Sequence, residues 1–299
     1  MKPSFFDKTL SVKEILLDAT TLAAIPQKNH DRARQNSKDI IAFDFEYVVR
    51  GKKYNGFYAR LKSLPEEKNP VVILNRGGTG LFGCIDAKHI FSGFATSVIK
   101  AGYIVIGSQC MGFAEDGVKD EMGGEDFYST LALKEFIDAD EASDENRIGV
   151  YCASRGAVAT FRLLAETDWV KAVVAISPAT NFLDDSFRPE MTEHYEKTFG
   201  GSKEEREKRS VMCWPEKLPK DVPILLMHGT SDWRIDPRSA LRFSEKLLDL
   251  AVPHRLVMFE GANHMLSEHW QESRVFGVSW LERFVRNREA VPDMEKHGD

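Results

Sequence analysis

The feature that most constrains this chain is a series of short, uninterrupted apolar runs, each bounded by Gly, Pro or Asn. They read VVILN from Val71, YIVIGS from Tyr103, RIGVYC from Arg147, VKAVVAIS from Val170, VPILLMHG from Val222 and HRLVMFEG from His254. A strand wetted on one face alternates polar and apolar residues. A strand buried on both faces need not, and parallel sheets bury both. Helical patterns fill the gaps, at Ala87–Lys100, Glu125–Asp138, Arg155–Glu166, Pro237–Leu250 and Glu272–Arg288. Ahead of them, Ala42–Val49 alternates as a half-buried strand does, and Lys53–Leu61 reads as its hairpin partner. Two antiparallel leading strands followed by repeated strand–helix units predict an α/β fold with a mostly parallel central sheet and helices on both faces.

No repeat or low-complexity linker divides the chain, so residues 1–299 are read as one domain. Residues 1–41 are expected as an N-terminal extension of helix and loop outside the core. Leu183–Lys217 interrupts the rhythm; it is long, highly charged and weakly helical, and is read as a cap insertion above the carboxyl ends of the strands. A hydrophobic content of 42% is ample for a core, and a net charge of −6 with no Lys/Arg stripe argues against nucleic acid as a partner. The apolar runs are strand-sized, too short to span a bilayer. The opening MKPSFFDKTLSVKE lacks a long apolar core and a small-residue cleavage site, so no secretory signal is expected. The cysteines Cys84, Cys110, Cys152 and Cys213 form no C-x-x-C pair and are read as free thiols of a cytoplasmic protein. A homo-oligomer stays open.

In open α/β sheets reactive groups gather just past the carboxyl ends of the strands. Ser154 follows RIGVY within YCASRGAV, Asp232 follows ILLMHG within HGTSDWRIDP, and His264 follows RLVMFEG within EGANHML. A serine hydroxyl is a poor nucleophile until an imidazole can take its proton. The imidazole needs a carboxylate on its other nitrogen to fix its tautomer. The order Ser, Asp, His is that of the α/β-hydrolase architecture. His254 competes with His264 but begins its strand, and His269 lies further along. Cys152 occupies a place in the turn usually held by glycine; with no cation beside it, it is read as packing and Ser154 as the nucleophile. Each residue alone reads as a turn, helix-start or core residue; the order and placement together carry the assignment.

Acyl transfer also needs donors for the developing oxyanion. The Arg155 N–H supplies one, and NRGGTG, Asn75–Gly80, supplies another through Arg76 and Gly77 at a sharp glycine turn. No GxxxxGK[ST] is present, which sets aside a phosphate loop, and no H-x-H or HExxH suggests a metal, so neither metal nor cofactor is expected. Trp214 and Trp233 are candidates for lining a pocket, with plain aromatic packing as the alternative.

NRGGTGLFG, EMGGEDF, ASRGA, RSVMCW with LPKDVPILLMHGTSDWRIDP, and the late GANH together resemble the catalytic domain of prolyl oligopeptidase-type serine hydrolases, from about Ala42 to Arg288. The resemblance implies an α/β-hydrolase fold and a triad at Ser154, Asp232 and His264. It also marks three departures. There is no room for the β-propeller that larger relatives carry. Arg76 stands where peptidase members have an oxyanion tyrosine, so backbone N–H groups must serve. Cys110 and Met111 are apolar where similar sequences often carry polar or basic residues, which leans toward an acyl or ester pocket. The expected function is a serine hydrolase cleaving amide or ester bonds of small substrates, including short peptides, through an acyl-enzyme. A carboxylesterase, a thioesterase or acyltransferase on the same triad, and a non-catalytic binding protein are the alternatives.

Overall fold

The computed structural model describes residues 3–114, 117–183 and 189–295. Two compact units make up the chain, one comprising residues 1–120 and 125–148, the other 121–124 and 149–299.

In the first unit, β1 (Ser11–Glu14), β2 (Ile40–Val49), β3 (Lys52–Leu61), β4 (Asn69–Asn75) and β5 (Ile104–Ser108) lie in the order β1-β2-β3-β5-β4. The β2–β3 hairpin is antiparallel with Val49 opposite Lys52, β3 is antiparallel to β5, and β5 is parallel to β4 with Val71 opposite Ile104. The two expected leading strands are joined by a third: β1 pairs antiparallel with β2, Ser11 opposite Glu46. Four residues are too few for periodicity to show, so the sequence pattern of this strand is that of a loop. Nor does the N-terminal segment stay outside the core. Phe5 is 1% exposed and packs edge-on against Phe45 at 5.4 Å. Phe136 closes the same cluster, 5.6 Å from Phe45 and 5.2 Å from Tyr47.

Short helices α1 (Ala19–Ala23), α2 (His30–Asp39), α3 (Ala87–Phe91), α4 (Phe94–Lys100), α5 (Phe127–Leu131) and α6 (Leu133–Ala139) complete this unit. The helix expected over Ala87–Lys100 is broken at Ser92 and Gly93. Gly93 is extended, and a Cβ there would stand 2.5 Å from the His89 Cα. Its apolar face is continuous in sequence because both halves bury residues: Ile90 and Phe91 in one, Val98 and Ile99 in the other.

β6 (Ser143–Ala153) carries the chain into the second unit, where the strand order is β6-β7-β8-β9 with β7 (Val170–Ile176), β8 (Ile224–Gly229) and β9 (His254–Phe259). β7, β8 and β9 are parallel, Ile176 opposite Met227 and Met227 opposite Val257. The helices are α7 (Gly156–Glu166), α8 (Pro189–Phe199), α9 (Lys203–Arg209), α10 (Arg238–Asp249) and α11 (Trp270–Leu281). α7 buries nearly every residue from Gly156 to Leu164. α10 is amphipathic, turning Ala240, Phe243 and Leu247 inward, and Phe243 meets Phe161 of α7 at 5.1 Å. α11 passes into a π-helical turn, Glu282–Arg286, at its end.

The segment expected as a cap is more helical than its composition suggests, although its residues 184–188 lie outside the described residues. α9 is capped by Ser202, whose side chain accepts the Glu205 N–H; acids fill its first turn and bases its last, as the helix dipole favours. Arg209 anchors this helix. It is 4% exposed, and its guanidinium donates to the carbonyls of Glu121 at 3.0 Å and Met122 at 3.1 Å, and pairs with Glu205 at 2.6 Å. From the other side Arg162 of α7 donates to the Gly123 carbonyl at 2.8 Å. Met122, at φ 56°, is fully buried with Val158, Ala179, Phe182, Tyr195 and Ile235.

Candidate active site

Ser154 sits between β6 and α7 at φ 53°, in the left-handed region that a non-glycine residue enters at a cost. Three backbone bonds hold it there: its N–H donates to the Ile176 carbonyl at 2.8 Å, and its carbonyl accepts the Ala157 and Ala179 N–H groups, both at 3.1 Å. The Ser154 turn is thus tied to the end of the neighbouring strand, β7. Arg155, next in sequence, caps α7, so its N–H belongs to the first turn, where intrahelical acceptors are lacking.

Cys152, in the last turn of β6, is fully buried. Burial pushes its thiol up to about 12, against a smaller opposing hydrogen bond with Thr160. The thiolate that a nucleophile requires is therefore suppressed. The Cys152 reading as packing agrees with this environment.

Beyond β8 and β9 the two loops are laced together. Thr230 N–H donates to the Phe259 carbonyl at 2.9 Å, Ser231 N–H to the Ala262 carbonyl at 3.0 Å, and Gly261 N–H to Thr230 Oγ1 at 2.8 Å. Gly229 makes this approach feasible, because a Cβ there would stand 2.2 Å from the Ala262 carbonyl oxygen. Asn263 is clamped by Glu268, which accepts both its backbone and its amide N–H, at 2.8 and 3.0 Å. The outcome is a buried pair: His264 Nδ1 lies 2.7 Å from Asp232 Oδ2. The other carboxylate oxygen accepts the N–H groups of Arg234 at 2.8 Å and Ile235 at 3.2 Å.

Burial would push the Asp232 carboxyl up. Hydrogen bonds from His228 and His264, the His264 charge and the Arg234 N–H outweigh it and hold the carboxyl well below the usual carboxylate range. Asp232 is therefore an anion at neutral pH. With Nδ1 on Asp232, Nε2 is the nitrogen of His264 left to face a substrate-side proton. Ser154 and His264 belong to the same unit, and the resting hydroxyl makes no hydrogen bond to the ring. Such bonds often tighten only with substrate present. The competing histidines are engaged elsewhere: His254 with Ser244 Oγ at 2.8 Å and the Val252 carbonyl at 2.9 Å, His269 with the Glu260 carbonyl at 3.0 Å and Glu272 at 3.2 Å.

Arg76 and Gly77 lie in the first unit, just past β4. The Arg76 guanidinium is buried and committed to its own loop. It donates to the carbonyls of Gln109 at 2.7 Å, Gly80 at 2.8 Å and Phe82 at 3.1 Å, and pairs with Asp120 at 2.9 Å. Its side chain is thus a brace for residues 76–83, a role that the sequence did not reveal. Trp214 is half-buried with its indole N–H on the Glu207 carbonyl at 3.1 Å, while Trp233 is 53% exposed beside Asp232.

Sequence reasoning also missed His228. It sits near the end of β8, fully buried, with Nε2 2.9 Å from Asp232 Oδ2. The signal was a lone polar residue in ILLMHG, four positions before the acid, and it was absorbed into the strand pattern. Among the described residues, no group of three or more His, Cys, Asp or Glu is placed to hold a metal ion, and no helix is long and apolar enough to cross a membrane.

A left-handed serine between strand and helix, with a carboxylate and an imidazole past the next strands of a parallel array, defines a protein of the α/β-hydrolase class. Residues 90–286 match the model of the prolyl oligopeptidase family, and the chain belongs to that family. It is 27% identical over 248 residues to the uncharacterized peptidase YuxL of Bacillus subtilis (strain 168), covering 75% of this chain and 35% of that protein. It is 23% identical over 236 residues to the acylamino-acid-releasing enzyme of Rattus norvegicus, covering 73% and 32%. The solved acylaminoacyl peptidase of Pyrococcus horikoshii shares the fold, with a TM-score of 0.71 at 20% identity over 87% of this chain and 44% of that one. The chain thus spans about a third of the length of these curated relatives.

Proposed function

We propose that this protein is a serine hydrolase that cleaves the acyl–amide bond of short, blocked peptides and related esters through an acyl-enzyme. The observation that carries the reading is the buried Asp232–His264 pair at 2.7 Å, in the same unit as the left-handed Ser154 turn. Ser154 Oγ attacks the carbonyl carbon while His264 Nε2 takes the hydroxyl proton. Asp232 fixes the ring by Nδ1 and balances the imidazolium. The Arg155 N–H stabilises the oxyanion. His264 then returns the proton to the leaving nitrogen or oxygen, and water, deprotonated by the same ring, releases the acyl group.

The choice of an acylated peptide rests on the two relatives named for releasing acylated amino acids. We place residues 189–217 of the charged segment as a roof of the substrate site. Tyr195 of α8 packs with Val158 of α7 and Ile235 of the loop after Asp232, so the segment borders both the nucleophile helix and the acid loop. No disulfide joins the four cysteines among the described residues, which suits a reducing compartment.

Reaction with a fluorophosphonate probe tests the nucleophile: label is expected at Ser154 and at no other serine. Ser154→Ala should abolish labelling and lower turnover of N-acyl-aminoacyl anilides by about 10⁴-fold or more, with an unchanged melting temperature. Folded wild-type protein that takes no label would refute the reading and leave a binding protein on a hydrolase scaffold. Turnover of short aryl esters without anilides would move the assignment to an esterase.

A further inference from the structure

The proposed mechanism uses one imidazole at Asp232, yet the structure supplies two. Asp232 Oδ2 lies 2.7 Å from His264 Nδ1 and 2.9 Å from His228 Nε2. The side chains of His228 and Asp232 are both wholly buried. His228 Nε2 is also 3.3 Å from the Ile235 carbonyl oxygen, so it faces two acceptors. Its other nitrogen, Nδ1, is buried with no hydrogen-bond partner among the described residues. A nitrogen between two acceptors must carry the proton; a buried nitrogen with none is least costly as a bare lone pair. The geometry thus selects the Nε2-protonated tautomer. The carboxylate then has a donor on every side: two imidazole N–H groups on Oδ2, two backbone N–H groups on Oδ1.

We propose that His228 is a positioning residue: its Nε2–H holds Asp232 Oδ2 and keeps the carboxylate turned so that the same oxygen meets His264 Nδ1. It touches no substrate and acts only through Asp232, so the inference rests on the functional reading above for its catalytic consequence. A carboxylate held by one imidazole and two amides of a single loop can rotate about its last torsion. The second imidazole, projecting from the rigid strand β8, removes that freedom. The other charged groups on the adjoining segments have partners of their own: Glu268 on Asn263, His269 on Glu272, Asp236 on Arg238, and Arg234 stacked over Trp233. None of these contacts reaches Oδ2.

Three variants and one measurement free of turnover test this. With carboxyl-labelled aspartate, the Asp232 resonance is followed by NMR against pH in wild type, His228→Leu and His228→Gln. The Leu variant should protonate Asp232 at distinctly higher pH than wild type. Gln, whose amide nitrogen can reach the place of Nε2, should restore most of the difference. In turnover, His228→Leu should lower kcat by roughly 10- to 100-fold with KM nearly unchanged, and Gln should recover the larger part. An unmoved Asp232 titration in the Leu variant would overturn the inference. Should Leu fail to fold, the Gln variant and the wild-type ring decide: an Nδ1-protonated His228 by ¹⁵N NMR, or a Gln variant with Asp232 displaced upward, overturns it equally. Ser154→Ala, the third variant, should leave the Asp232 titration in place. If it also leaves turnover in place, the functional reading fails while the role of His228 toward Asp232 stands.

Discussion

Gly229→Ala should cripple the site without touching a reacting atom. The added Cβ would stand 2.2 Å from the Ala262 carbonyl oxygen, where a carbon and an oxygen ordinarily keep about 3.3 Å apart, so about 1 Å must be found. Neither side gives easily. Gly229 ends β8, and the Ala262 carbonyl accepts the Ser231 N–H at 3.0 Å. Moving the 262–264 backbone outward by that amount carries His264 with it and stretches the 2.7 Å contact with Asp232 beyond hydrogen-bond range. The strain should cost about 1–3 kcal/mol of stability. The misplaced imidazole should cost about 10²-fold in kcat/KM. Gly51→Ala serves as control: Gly51 is left-handed, at φ 75°, and nothing lies within 4 Å of its Cβ position. It should lose about 1–2 kcal/mol and keep full kcat/KM. Thermal melts and hydrolysis of an aryl ester on both variants suffice. Wild-type kcat/KM in Gly229→Ala would refute the idea that the crossing of these two loops sets the position of His264.

Replacing Asp232 by Asn should lower kcat about 10⁴-fold, because the amide favours the wrong His264 tautomer. Since the folded Asp232 carboxyl lies below its ordinary value, the carboxylate stabilises the fold at neutral pH and loses that contribution as pH falls below about 4. The melting-temperature gap between wild type and Asp232→Asn should therefore be flat above about pH 5 and narrow below pH 4; a gap that widens toward acid would contradict the sign. Iodoacetamide on native protein should spare Cys152, buried and pushed up to about 12, and modify the exposed Cys213 first. Mass spectrometry of the digest reads the order, and early alkylation of Cys152 would reopen it as a nucleophile.

The parallel part of the fold was legible because its strands are buried on both faces and so appear as unbroken apolar runs. The same property singles out Ser154, Asp232 and His264 as candidates, each a few residues past the end of such a run. What the sequence concealed is of a different kind. β1 is four residues long, below the reach of any period. The break at Gly93 preserves the apolar spacing on either side and so leaves no trace in it. His228 looked like one more strand residue, since its value depends on an acid that lies beside it only after β8 has turned. Arg76 and Arg209 are long cations, a type normally met on the surface, and nothing local announces that Arg76 will be enclosed by carbonyls of its own loop and of Gln109, or Arg209 by those of Glu121 and Met122. Helicity of the charged segment from Pro189 to Arg209 comes from capping and ion pairs such as Glu193 with Lys197 at 2.6 Å, which hydrophobic patterning cannot register.

Arg209 has one further implication. A helix bearing so many charges would ordinarily be expected to drift on its tether, opening and shutting as substrate arrives. This one is riveted: to swing clear, α9 would have to strip a nearly solvent-free guanidinium from the Glu121 and Met122 carbonyls, at roughly 1.5 kcal/mol or more for each charged bond. Two such bonds already confine the detached form to below about 1% of molecules. If the segment roofs the substrate site as proposed, its fit is then a matter of fixed architecture, to be altered by substituting Tyr195 and Phe199 and not by loosening a hinge.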